Sequence, residues 1–257
     1  MANLIVDLNT DCGESYGPWP MGNDAALMKV VTSANIACGF HAGDPDTMAV
    51  TMGLAVQNGV AIGAHPGFDD KQGFGRRVIP MAPDAITRMV AYQVGAAAAS
   101  AALAGGTLTY VKAHGALSNH ASGDADAAAA VAAAVKAVDP NLTLLAIATT
   151  ELERAGKAAG LKVAAEIFAD RHYEPDGMLV SRAKPNAMVE DPEEAATRMV
   201  EMVTEGVILA NDGSRIKTDV HSICVHGDGP TAVPLATRVR EALEAAGVTI
   251  APFAPAQ

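Results

Sequence analysis

"SANIACGFHAGDP", Ser33 to Pro45, decides how this chain is read. Ala34 to Cys38 is a continuous apolar run, as a strand buried on both faces is. It stops at Gly39 and passes through Phe40, His41 and Gly43 to Asp44. Asp44-Pro45 then supplies an N-cap and a proline for the first helical position. Strand, glycine-bearing polar turn, helix: this is the unit from which parallel sheets are built, with its polar groups where the strand ends.

The unit recurs along the chain. Strand-like runs begin at Asn3 ("NLIVDL"), Ser33 ("SANIAC"), Gly59 ("GVAIGA"), Leu108 ("LTYVKA"), Leu142 ("LTLLAIA"), Lys162 ("KVAAEIF") and His221 ("HSICVH"). Helical stretches separate them. Asn58-Gly59 stops the helix that Asp44 starts, and Asp191-Pro192-Glu193-Glu194 starts another, with Glu194 spaced for a capping box. The Ala-rich segments near Gly95–Gly105 and Ala125–Val138 suit tightly packed helices, and Pro234 to Gly247 is a last amphipathic one. The expected fold is α/β, a TIM-like (β/α) barrel stopping short of eight strands, at about seven, in one domain over residues 1–257. A doubly wound open sheet is the alternative. Neither its G-x-G-x-x-G signature nor a P-loop is present.

The bulk numbers agree. A chain of 257 residues, 50% apolar, can bury one large core. A net charge of −11 without a Lys/Arg block argues against nucleic acid and anionic membranes as partners. No signal peptide and no apolar run of about 18–20 residues is visible, so a cytoplasmic protein is expected. The three cysteines, Cys12, Cys38 and Cys224, fit reduced thiols better than a disulfide framework.

The chemistry-bearing residues collect at the strand ends. Asp7, Asn9, Asp11 and Glu14 are at or after the first strand, and His41 and Asp44 after the second. His65 follows the third, and Lys112, His114 and Asn119 stand at the fourth. Glu166, Asp170 and Arg171 stand at the sixth, and His226 and Asp228 at the last. A barrel brings all these ends to one face, where active sites are found. Four of the seven histidines lie there, each near a glycine. Such a set of titratable groups would be costly to bury without partners and marks a polar pocket. Arg76 and Arg77, after the glycines of "GFGRR", offer forks for a carboxylate or phosphate.

The motifs "DLNTDCGESYGPW", "SANIACGFHAGDP", "GAHPGF", "GFGRR", "YQVGA", "KAHGAL", "EIFADRHYEPDG" and "ICVHGDGP" resemble the LamB/YcsF family, in family order from Asp7 to Pro230. One departure is visible: where the family has K-P-H-G-A-L-Y, this chain has Ala113 and Ser118. The resemblance implies an incomplete TIM barrel related to glycoside hydrolases and deacetylases. It implies ATP-dependent opening of 5-oxoproline to L-glutamate, performed with the B and C subunits of a 5-oxoprolinase. Where ATP sits, on barrel loops or on those partners, is left open, as is a divalent metal.

Opening a five-membered lactam requires activating a stable amide. The protein must hold the substrate carboxylate, place a water, offset developing charge and protonate the leaving nitrogen. The expected catalytic residues are Asp11, His41, Lys112, His114 and His226. Asp11 or a histidine would be the base, Lys112 the charge-offsetting group, and His114 or His226 the acid. Asp7, Asn9, His65, Arg76, Arg77, Glu166 and Asp228 are expected to bind substrate. Two other readings remain: a metal-dependent deacetylase or amidohydrolase acting alone, for which the histidines and Asp11 would suit zinc, and a non-catalytic subunit that only binds substrate.

Overall fold

The computed structural model describes residues 4–227, 229 and 231–254. Six parallel strands follow in order: β1 (Ile5–Cys12), β2 (Ser33–Ala37), β3 (Ala61–His65), β4 (Leu108–Lys112), β5 (Thr143–Ile147) and β6 (Lys162–Phe168). A short antiparallel hairpin, β7 (Val207–Leu209) and β8 (Arg215–Lys217), precedes the seventh barrel strand, β9 (Ser222–Val225). β10 (Thr249–Ile250) adds to the start of β1. Each barrel strand pairs with the next, and β9 pairs back onto β1 with Asp7 opposite Ser222. That last pairing closes a seven-stranded parallel barrel and excludes the open sheet.

The helices are α1 (Asp24–Leu27), α2 (Pro45–Asn58), α3 (Pro83–Leu103), α4 (Gly115–Gly123), α5 (Ala125–Val138), α6 (Glu151–Ala158), α7 (Pro192–Glu205) and α8 (Ala232–Ala245). Asp44 caps α2 by accepting the Thr47 N–H, and Gly59 ends it in the left-handed region. At α7 the cap differs from expectation. Asp191 accepts from Glu193 N–H, while the Glu194 carboxylate lies 4.0 Å from His172 Nε2 instead of closing a capping box. Among the described residues no helix is long and apolar enough to cross a membrane. Cys12, Cys38 and Cys224 are free and buried.

Strand alternation sorts the core. Val6, Leu8, Ile36, Ile62, Val111, Leu144, Ile167 and Ile223 point outward and pack under the helices in the main apolar cluster. The inward set is different. Ala61, Tyr110, Leu145 and Ala164 plug the base, with Phe253 stacked edge-on against Tyr110 at 5.0 Å. Above the plug the interior is polar. Asn9 Nδ2 donates to Glu166 Oε1 (2.9 Å) and Ser222 Oγ (2.7 Å), and Asn35 Nδ2 donates to Asn9 Oδ1 (2.7 Å).

Two expectations are corrected here. β1 runs to Cys12 rather than ending near Leu8, because inside a barrel its polar residues face partners and not oil. Asp7 and Asn9, expected to touch substrate, are wholly buried within this network. Asp228 lies outside the described residues.

Asp7 has a measurable consequence. Its carboxylate accepts from Thr32 and Ser33 hydroxyls at 2.6 Å and from Ser222, yet burial pushes its pKa from 3.8 up to about 6. Between these values the folded state keeps a proton that the unfolded state loses. Stability therefore falls as pH rises through that window, by on the order of 3 kcal/mol from this group. In urea unfolding at pH 4, 5, 6 and 7, the stability of the native chain minus that of Asp7→Asn should decline up to about pH 6 and then level. A difference independent of pH would contradict the assignment.

Candidate functional site

The C-terminal strand ends open into a cavity of about 510 Å³, within the usual range for small-molecule sites. Its floor is Lys112, the last residue of β4. The ammonium is buried and lies 3.0 Å from Asp11 Oδ1, 2.9 Å from Glu166 Oε1 and 3.0 Å from Cys224 Sγ. Burial opposes its charge, but Asp11, Cys224 and Glu166 overcome this and hold its pKa well above the usual range. Burial also works against Asp11, but His65 and Lys112 hold that carboxyl well below its ordinary value. Glu166 sits deeper, and burial pushes it up despite Lys112. Asp11 is thus the stronger acid of the two and the principal counter-ion.

One side of the mouth carries an oriented histidine. His226 Nδ1 lies 2.6 Å from Asp170 Oδ2, and Arg182 Nη2 donates to His226 Nε2 at 3.2 Å. A guanidinium only donates, so Nε2 is the bare nitrogen and Nδ1–H donates to Asp170. Burial raises the Asp170 pKa, but His226 and the arginines Arg182 and Arg171 bring it below the usual carboxylate value. The segment between β6 and α7 forms the adjoining wall. Arg171 fastens it, donating to the carbonyls of Val180 and Ala187, and burial lowers its own pKa to about 10.

The opposite side holds three imidazoles and a carboxylate. His41 and His114 stack with centroids 3.6 Å apart, and His65 meets both edge-on. Glu14 Oε1 is 3.2 Å from His41 Nε2. This buried Glu14–His41–His65–His114 group could hold a metal ion. Gly75 makes it possible. Its φ is +64°, and a Cβ there would stand 2.6 Å from His41 Cβ and 2.7 Å from His114 Cδ2.

Asp11, His65, Lys112, His114 and His226 thus line one cavity, as their strand-end positions predicted, and Arg76 joins them from the loop of "GFGRR". The others do not reach it. His41 packs behind His114, and Glu166 lies under Lys112. Arg77 closes its own loop: Nε donates to both Asp70 oxygens at 3.0 and 3.1 Å, with the side chain 64% exposed. Its fork is thus taken by an aspartate seven residues earlier, while Arg76 turns over the Phe74 ring at 5.1 Å and lines the cavity. Four contributors were not foreseen as site residues: Glu14, Asp170, Arg171 and Arg182. The first three stood at strand ends and were legible in principle. Arg182 lies in the 23-residue connection between Phe168 and Pro192, and only the unusual length of that loop hinted at a role.

The family model for LamB/YcsF matches residues 6–257. The chain belongs to the LamB/YcsF family. A relative from Rhodopseudomonas palustris, named as the A subunit of 5-oxoprolinase, is 56% identical over 252 residues, 98% of this chain and 99% of that protein. The crystal structure of a lactam utilization protein from Thermus thermophilus is 44% identical, with a TM-score of 0.92 over 97% of this chain and all of that one. The catalytic domain of a peptidoglycan N-acetylglucosamine deacetylase from Eubacterium rectale shares the fold at 12% identity and a TM-score of 0.53, covering 98% and 89% of the two chains. The LamB/YcsF barrel is therefore deacetylase-like in architecture.

Proposed function

We propose that this chain is the A subunit of a 5-oxoprolinase, opening 5-oxoproline to L-glutamate at the barrel mouth with ATP and two partner subunits. The cavity carries the reading. It joins a buried ammonium, rim guanidiniums and an oriented histidine, in a chain similar over its length to proteins named as 5-oxoprolinase A subunits. Arg76, Arg171 and Arg182 supply charge for the substrate carboxylate or a phosphoryl group.

The lactam oxygen takes the γ-phosphoryl group and ADP leaves. Water adds to the ring carbon, its proton passing to His226 Nε2 as general base once Arg182 turns from that nitrogen to the substrate. The C–N bond breaks and the nitrogen gains a proton. A second water splits the resulting acyl phosphate, leaving glutamate and phosphate. Lys112, on the cavity floor, offsets negative charge developing on the lactam oxygen.

Glutamate release from 5-oxoproline, measured with purified B and C partners, tests this. Release should require all three proteins and ATP. His226→Ala should lower kcat by about 10²-fold, the usual contribution of a positioned base. An unchanged kcat would remove His226 from the chemistry. A metal-dependent amidohydrolase acting alone is the second reading, favoured by the Glu14–His41–His65–His114 group. Release by this chain without ATP or partners, on adding a divalent metal, would establish that reading instead.

A further inference from the structure

Two backbone carbonyls decide where the protons of the histidine cluster sit. His65 Nδ1 lies 2.8 Å from the carbonyl oxygen of Lys112, and His114 Nε2 lies 2.8 Å from that of Phe74. A carbonyl oxygen only accepts, so both nitrogens carry hydrogen and donate it. In a neutral imidazole the other nitrogen is then bare. The two bare atoms, His65 Nε2 and His114 Nδ1, face each other at 3.0 Å.

Carboxylate oxygens crowd the same spot. Glu14 Oε1 is 3.7 Å from His114 Nδ1, and Asp11 Oδ2 is 3.4 Å from His65 Nε2. Lone pairs converge from four sides. A cation seated at this point would face two imidazole nitrogens and a carboxylate oxygen.

We infer that His65 Nε2, His114 Nδ1 and Glu14 Oε1 bind one divalent transition-metal ion of the zinc class, with a further coordination position open to the cavity. The His65–His114 and His114–Glu14 separations of 3.0 and 3.7 Å bracket the edge of about 3.3 Å of a tetrahedron with bonds of about 2.0–2.1 Å. Imidazole nitrogens with one carboxylate suit Zn²⁺ or Co²⁺, whereas Mg²⁺ and Ca²⁺ prefer oxygen cages. The Lys112 and Phe74 carbonyls are the outer partners that fix ring orientation and tautomer in metal-binding histidines.

All three ligands line the cavity, which leaves the ion a face toward substrate. His41 does not line it. Its ring plane is within 3° of the His114 plane at 3.6 Å, so an ion in the plane of His114 lies outside that of His41. His41 Nε2–H, 3.2 Å from Glu14 Oε1, instead orients the carboxylate, which makes His41 a positioning residue. The inference stands under either reading of the reaction, because its readouts are binding and spectra rather than turnover.

The test uses the purified chain, stripped with a chelator and dialysed, then titrated with Co²⁺, Zn²⁺ and Mg²⁺. Calorimetry and visible absorption are recorded together. The expected result is one Co²⁺ per chain with intense tetrahedral d–d bands, displacement by Zn²⁺, and much weaker Mg²⁺ binding. His65→Ala and Glu14→Gln should each weaken Co²⁺ binding by about tenfold or more, and His41→Ala by less than His65→Ala. Circular dichroism unfolding checks that each variant folds. If His65→Ala does not, the near-isosteric Glu14→Gln carries the test. Substoichiometric Co²⁺ binding, Mg²⁺ binding tighter than Co²⁺, or affinity unchanged in Glu14→Gln would overturn the inference.

Discussion

Lys112→Met is expected to abolish turnover and weaken the fold together. The side chain is 4% exposed, and its ammonium lies 3.0 Å from Asp11, 2.9 Å from Glu166 and 3.3 Å from Asn9 Oδ1. Methionine keeps most of the volume and removes the charge. Two buried carboxylates then lose their shared cation, and removing one partner of such a group costs about 3–5 kcal/mol. Turnover in the complete complex should fall by about 10³-fold, the upper range for a preorganised charge-stabilising group. The double variant Lys112→Met/Glu166→Gln separates the two effects. Neutralising Glu166 should restore part of the stability, read by urea unfolding, and none of the glutamate release. Full activity in Lys112→Met would show that the reaction takes place elsewhere.

Gly63→Ala should be comparably damaging to stability, for a reason remote from chemistry. Tyr110 crosses the barrel directly over Gly63, its opposite number on β4. A Cβ at residue 63 would stand 2.2 Å from ring atoms of Tyr110, a distance real Cβ contacts do not reach. The ring has nowhere to go. It is fully buried, its hydroxyl donates to Asn35 Oδ1 at 2.7 Å, and Leu145, Ala164 and Phe253 pack around it. Overpacking of rigid cores costs about 1–3 kcal/mol, and a clash this deep belongs at or above the top of that range. Tyr110→Leu alone should also destabilise, through lost packing and a lost hydrogen bond. The double variant should be less destabilised than the sum of the two, with a coupling of about 2 kcal/mol. Simple additivity would rule out the clash as the cause.

The strand at Ala61–His65 shows how much of this was legible. Its apolar run, its closing histidine and the helix before it were readable from a few neighbouring residues. The same holds for all seven barrel strands, for the Asp44 cap and for the extents of α2 and α5. Hydrophobic period and capping act over one or two turns, so they are written locally. The strand-end rule then brought Asp11, His65, Lys112, His114 and His226 to one cavity from sequence alone, while Arg76 was read only as a fork on a glycine-bearing loop. Strands β7, β8 and β10 were not foreseen, being two or three residues long and stabilised by what they pair with.

Rank within the site was not legible. Asp7, Asn9 and Asp11 alternate along one strand and look equivalent in the sequence, yet only Asp11 reaches the cavity. Their depth follows from barrel closure, which sets Asp7 opposite Ser222 and Asp11 Oδ1 3.0 Å from Lys112, 101 residues away. Arg76 and Arg77 are neighbours in sequence, but the local ion pair with Asp70 takes one and leaves the other facing the mouth. The histidine tautomers are further still from the sequence, since they depend on the carbonyls of Lys112 and Phe74, groups every residue has. By itself the sequence determined which elements form and which chemical groups stand at their ends. Only the tertiary structure decided which of those groups meet, which are buried beneath them and which nitrogen is bare, because hydrogen bonds and ion pairs act over about 3 Å and the closed barrel alone brings distant residues within that range.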